Sequence, residues 1–374
     1  MDRRTFLKGV TVGVTGLGFG LGPSLSAARR NKGYSIVILG DTHYDAEPSD
    51  IYHSNYDEKT EWLNRVQREE FRRNGEMWRE RCPRLLHRAA GLIDNNTRMA
   101  FQMGDLIQGD CGNGEVHRKM LDDVLSRFKS ELGGLPLITV VGNHDIRGVD
   151  AERVYREYMP ERMSQELGRP VTGTCFDFAI QDDAYIFIDF ESPDDALIDS
   201  ILDRTKAARN TFIVSHSPII PADCNSCRWF FHGGYSDYHT QARRHFLAEF
   251  ARRNAIVLCG HIHTTDFMDW VSPEGRITQM TMNSVWERPE QSNYILRSQG
   301  ADQYGTLRAK MKTSANGNPL TDESALFDEY RSGIREYSSS SAAGSYKLNV
   351  SDRGVTIDFY AGDSRSLTHT FVIR

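Results

Sequence analysis

The sequence has no surplus of positive charge. Its 45 lysines and arginines meet 51 aspartates and glutamates, leaving a formal net charge of −6. That balance speaks against a nucleic-acid partner, which calls for a basic face. Attraction for an anion must then be local, from placed side chains or bound cations. The mild apolar stretch Gly9 to Leu21 is too short and too weakly apolar to span a bilayer comfortably. No internal repeat is visible. Cysteine is sparse, with six in 374 residues, and a chain of this length buries enough surface to fold without disulfides. Cys224-Asn-Ser-Cys227 has CxxC spacing, but it stands apart from any thioredoxin-like βαβ pattern and lacks the second pair that a zinc ribbon needs. A local disulfide or two free thiols is expected there. Cys259 sits in an apolar run and reads as core.

What is present is an ordinary globular composition, 39% apolar and 26% charged, enough for one large domain or two small ones. The amino terminus reads as an address. Arg3-Arg4 followed by Phe6-Leu7-Lys8, the mild apolar stretch and the small residues Ser26-Ala27-Ala28 have the layout of a twin-arginine signal peptide. Residues 1–28 are therefore expected to be removed. The twin-arginine machinery is the expected partner, with export of a folded chain. The expected location is periplasmic or extracytoplasmic, with no stable membrane span after processing.

Beyond Gly33, short β-branched runs alternate with polar, helix-forming stretches. Strands are expected at Tyr34 to Leu39, Arg98 to Met103, Leu135 to Val141, Thr174 to Ile180, Ala184 to Phe190, Thr211 to Ser215, Ala255 to Cys259, Thr265 to Val271 and Arg276 to Met282. Glu58 to Asn95 reads as two helices broken at Pro83, and further helices are expected at Glu115 to Glu131, Ala151 to Gly168, Asp194 to Ala208 and His239 to Arg253. Ser298 to Leu320 reads as a linker and Asp322 to Tyr337 as a helix. Three alternating segments, Ser345 to Val350, Val355 to Tyr360 and Leu367 to Ile373, then form an antiparallel meander. The fold class is α/β, with helices on the outer faces of the sheets. A domain at 33–297 with helical insertions is expected to be completed by 298–374.

Five polar motifs follow strand-like runs: Gly40-Asp41-Thr42-His43, Gly104-Asp105, Gly142-Asn143-His144-Asp145, His216, and Gly260-His261-Ile262-His263. Loops beyond the carboxyl ends of strands form the ligand crevice of α/β folds, so the five converge on one rim. Two aspartates, one asparagine and four histidines offer oxygen and imidazole donors without thiolate. That set suits Mn, Fe, Zn or Ni better than Mg or Ca. Seven ligands exceed the needs of one ion and fit two ions sharing a carboxylate.

With these motifs, in this order, the stretch from about Tyr34 to Met282 resembles the calcineurin-like metallophosphoesterases. The resemblance implies a four-layer α/β/β/α sandwich of mixed sheets. It implies one metal on Asp41, His43 and His263, a second on Asn143, His216 and His261, and Asp105 bridging them. The cofactors would be two divalent or mixed-valence transition-metal ions. The implied activity is attack of metal-activated hydroxide on a small phosphomonoester or phosphodiester. His144 would protonate the leaving oxygen or steady the transition state.

Two positions depart from better-known branches. Protein serine/threonine phosphatases continue the Asp105 motif with an aspartate and an arginine, where this chain has Gln108 and Gly109. Purple acid phosphatases place a tyrosine shortly after the bridging aspartate, and Leu106 to Gly112 contains none. Specificity is expected from the insertions. The candidates are Tyr44 to Tyr56, Arg147, and Cys224 to Tyr238 with Arg228, Trp229, His232 and Tyr235. The competing readings are a metal-holding but catalytically silent envelope protein and a single-metal hydrolase.

Overall fold

Tyr34–Leu39 forms β1, six residues buried on both faces, as expected for a near-continuous apolar run inside a sheet covered on both sides. Residues 33–45, 61–221, 231–233, 236–284, 297–298 and 329–374 are described by a computed structural model, without the side chains of 61–67 and 297–298. The expected export signal, most of the expected linker, Cys224 and Cys227 lie outside the described residues. Among the described residues, no helix is long and apolar enough to cross a membrane.

β1 pairs in parallel with β2 (Thr97–Gln102), which pairs in parallel with β3 (Leu137–Thr139). On its other edge β1 meets β12 (Gly344–Ser351), antiparallel, and hairpins continue to β13 (Gly354–Ala361) and β14 (His369–Val372). The carboxy-terminal meander thus extends the first sheet. The second sheet runs β10 (Arg297–Ser298), β11 (Ile334–Ser340), β8 (Thr265–Ser272), β9 (Gly275–Thr281), β7 (Ile256–Cys259), β6 (Thr211–Ser215), β5 (Asp183–Ile188) and β4 (Phe176–Ile180). Its central strands β5, β6, β7 and β9 are parallel.

The sheets pack face to face. Phe101 on β2 meets Phe178, Tyr185 and Phe187 of the second sheet edge-on, with centroids 5.3 to 6.1 Å apart. Tyr34 donates to the Asp183 carboxylate across the interface at 2.8 Å. Helices α1 (Glu61–Ala90), α2 (Gly114–Glu131) and α3 (Ala151–Leu167) cover the first sheet. Helices α4 (Asp195–Arg204) and α5 (Asp237–Arg252) cover the second. The result is the expected α/β/β/α stack of two mixed sheets.

Two expected elements are corrected. The pair of helices broken at Pro83 is a single thirty-residue helix with the proline inside. Phe71, Trp78, Cys82, Leu85, Leu86 and Ala89 are all buried along one stripe of it. That packing outweighs the roughly 3 kcal/mol cost of an interior proline. The helix expected up to Tyr337 gives way to β11 from Ile334. There Ile334, Tyr337 and Ser338 are buried and the strand pairs with β8. Cross-strand packing decides this segment, where local propensity did not. Residues 322–328 of that expected helix lie outside the described residues.

Candidate metal centre

Every motif residue leaves the carboxyl end of a strand, and the two sheets aim those ends at one place. Asp41 and His43 follow β1, Asp105 follows β2, and Asn143 and His144 follow β3. From the second sheet, His216 follows β6 while His261 and His263 follow β7. Ligand atoms of Asp41, His43, Asp105 and His263 all lie within 4.8 Å of one another, and so do those of Asp105, His216 and His261. Asn143 joins the second group, its Oδ1 lying 3.3 Å from His216 Nε2. Asp105 is common to both groups. The structure therefore brings together all seven residues expected as ligands.

The local backbone is unusual. His43, Asp105, His261 and His263 all have φ between 43° and 73°, a region few residues other than glycine occupy. Non-glycine residues in it carry strain that surrounding contacts must hold in place, and such strain clusters at functional sites. The holding contacts are visible. Asp41 accepts from the His261 amide at 2.9 Å, and Asp105 Oδ1 accepts from the His144 amide at 2.7 Å. The neighbouring glycines permit this closeness. A Cβ at Gly142 would fall on the Asp105 amide, and one at Gly260 would strike the Asp41 carboxylate.

The donor set fits bound cations. His43 Nε2 and His263 Nε2 are 3.1 Å apart, as are His261 Nδ1 and His216 Nε2. Two donors about 2.1 Å from one ion and at right angles lie about 3.0 Å apart. His216 donates its Nδ1 hydrogen to the Met103 carbonyl at 2.7 Å, which leaves Nε2 for an ion. The electrostatics agree. Burial works against a charged His216, but Asp105 and Asp41 outweigh it and raise the imidazole to about 9. Buried carboxylates that hold a proton on histidine this firmly call for positive charge, which a metal ion supplies in its place. Burial and the charge of His216 push His261 down to about 3, in the form that ligates.

His144 sits beside the cluster, its ring 4.4 Å from that of His43. Its Nδ1 donates to the Gln108 carbonyl at 2.8 Å, so Nε2 is the free edge. Burial and the nearby Arg147 push its pKa down to about 3. Asp145 ties the turn together, accepting from the Ile107 amide at 3.1 Å and the Gly142 amide at 2.8 Å. Burial and the charge of Asp105 raise Asp145 to about 8.

A family model described as Calcineurin-like phosphoesterase matches residues 34–265. The chain belongs to that family. Membership places it among the phosphoester hydrolases, and the Asp/His cluster is the group able to hold metal. Among the solved structures that align with it are two that follow. One is GAP50, "the anchor in the inner membrane complex of Plasmodium", at 14% identity and a TM-score of 0.44, covering 91% of this chain and 88% of that one. The other is PhoD, at 9% identity and a TM-score of 0.47, covering 91% of this chain and 68% of that one. No curated protein matches.

Around the phosphoesterase motifs stand residues that the motifs do not announce. Gln102 binds the carbonyls of Gly40 and Gly104 and accepts from Thr139, stitching three motif strands together. Asn283, after β9, bridges to Asp41 and donates to the His263 carbonyl at 2.9 Å. Glu70 reaches in from α1, with Oε1 3.8 Å from His144 Nε2. The specificity candidates fare differently. Arg147 is paired with Asp110 and, at 3.4 Å, with Glu70. Tyr44 is buried against Trp78, with centroids 4.7 Å apart. His232 is buried between Asp195 and His239. Residues 46–56, Arg228, Trp229 and Tyr235 lie outside the described residues.

One support carries a pH signature. Buried His117 on α2 donates to the Asp145 carbonyl at 2.9 Å, and burial pushes its pKa from 6.5 down to about 4. The unfolded chain takes up that proton below pH 6.5, while the folded one waits until about pH 4. The contribution is thus intact above pH 6.5 and shrinks as pH falls towards 4, by about 3 kcal/mol in all. Urea midpoints measured from pH 7 to 4 are expected to fall less steeply in His117→Gln than in the parent. Parallel slopes would refute this.

Proposed function

We propose that this phosphoesterase hydrolyses a small phosphomonoester or phosphodiester with two transition-metal ions, drawn from Mn, Fe, Zn or Ni. Asp41, His43 and His263 would hold one ion and Asn143, His216 and His261 the other, with Asp105 shared. The observation that carries the reading is the position of Asp105 within both ligand groups. When bound, such a pair supplies a nucleophile at neutral pH and neutralises charge on the phosphoryl oxygens.

The chain's own residues do the rest. Burial works against an ionised Asp105, but the charge of His216 and its hydrogen bond outweigh it and keep the carboxylate ionised. Its Oδ1 fixes the His144 amide, and Gln108 fixes the His144 ring, so Nε2 faces the reaction space at a set angle. That edge would meet the leaving oxygen. His43, held well below the ordinary histidine value chiefly by burial, stays neutral as a ligand must.

The direct test is metal content together with turnover. About two ions per chain are expected, with release of phosphate or alcohol from an aryl monoester or diester that chelation abolishes and metal restores. One ion per chain would overturn the paired site. Full loading without turnover would favour the silent, metal-holding alternative. We also propose export to the cell envelope by the twin-arginine route, supported by Arg3-Arg4 and the layout that follows. Replacing both arginines by lysine is expected to keep the protein in the cytoplasm, and unchanged export would refute the route.

A further inference from the structure

Glu70 belongs to no phosphoesterase motif. It lies on α1, the helix inserted between β1 and β2. Its carboxylate stands 3.8 Å from His144 Nε2, the ring edge that Gln108 leaves free. It is not loosely placed. Arg147 contacts its other oxygen at 3.4 Å, and Arg147 is itself held by Asp110. The side chain of Glu70 is one-quarter exposed, at 25%. Among the described residues, Arg147 is thus shared between the carboxylates of Glu70 and Asp110. If Nε2 meets the leaving oxygen at hydrogen-bonding distance, the atoms attached to that oxygen pass within a few ångströms of Glu70.

We propose that Glu70 selects the leaving group: an alcohol bearing hydrogen-bond donors close to the ester oxygen, neutral or cationic, in preference to an anionic phosphate. The substrate class is then phosphate esters of polyols or amino alcohols, not phosphoanhydrides. The reasoning rests on the placement of His144 under the proposed function. A hydroxyl or ammonium near the ester oxygen donates to Glu70 in a partly dry site, where charge-assisted bonds are strong. A second phosphate there meets like charge, which costs more in such a site than in open water.

The test uses the metal-loaded full chain and Glu70→Gln, which keeps shape and removes charge. The kcat/KM values for a glycerol phosphate ester, an ethanolamine phosphate ester and inorganic diphosphate are compared. The parent is expected to prefer the two esters, and the variant to shift the ester-to-anhydride ratio by about tenfold towards the anhydride. A larger loss on the ethanolamine ester marks a cationic alcohol, and equal losses mark hydroxyl donors. Calorimetry supplies a reading without turnover: affinity for diphosphate, relative to orthophosphate, is expected to tighten by a similar factor in the variant. Unchanged ratios in both measurements overturn the role of Glu70. A parent that cleaves no phosphoester with two ions bound overturns the hydrolase reading instead, and the calorimetric ratio still decides the role of Glu70.

Discussion

Asp105→Asn is expected to lower kcat/KM for any phosphoester by roughly 10³-fold or more, the scale of losing a buried electrostatic partner in the reaction. It is also expected to release metal. The change is nearly isosteric, so the cause is chemical. Oδ1 of Asp105 accepts from the His144 amide at 2.7 Å, and Oδ2 lies 3.3 Å from His216 Nε2 and 3.7 Å from His43 Nε2. An asparagine must turn its NH2 either towards an amide donor or towards the imidazoles, and neither position keeps a shared anionic oxygen. Metal content and kcat/KM measured on one preparation check both halves. A variant that keeps two ions per chain and stays within tenfold of the parent would remove Asp105 from the role given to it here.

The second large effect concerns His144. His144→Gln is expected to leave metal content unchanged and to lower kcat by about 10²- to 10⁴-fold on an alkyl phosphate, the usual range for losing a placed proton-transfer group. On a nitrophenyl phosphate the loss is expected to be much smaller, because that leaving oxygen departs without a proton. The contrast separates two roles. Burial and Arg147 push the imidazole down to about 3, so the ring rests neutral, with Nδ1–H on Gln108 and a lone pair on Nε2. To act as an acid it must gain a proton when negative charge arrives with substrate. Equal losses on both leaving groups would mean that His144 steadies the transition state without delivering a proton.

Much of the fold could be read from local pattern. Thr211–Ser215 has the bounds expected of it, and most other strands and helices fall within a few residues. Each strand is short, apolar and bounded by turn residues. The failures share a cause. Pro83 sits inside α1 because Trp78, Cys82, Leu85 and Leu86 pack against the core. Ile334 begins a strand because β8 offers an open edge. Neither partner is close in sequence. The site shows the same division. Its motif residues announce themselves by chemistry and order, whereas Gln102, Asn283 and Glu70 act through contacts that carry no local signature. The left-handed backbone of His43, Asp105, His261 and His263 was equally hidden, since few aspartates and histidines adopt it and the local sequence does not say which ones do.

The donors come from both leaves of the sandwich, with Asp41, Asp105 and Asn143 on one side and His216, His261 and His263 on the other. An ion seated among them would act as a rivet as well as a reagent, its binding free energy added to the cohesion of the two leaves. Stripping the metal should then do more than silence the chemistry: it should loosen the seam along which the molecule is joined.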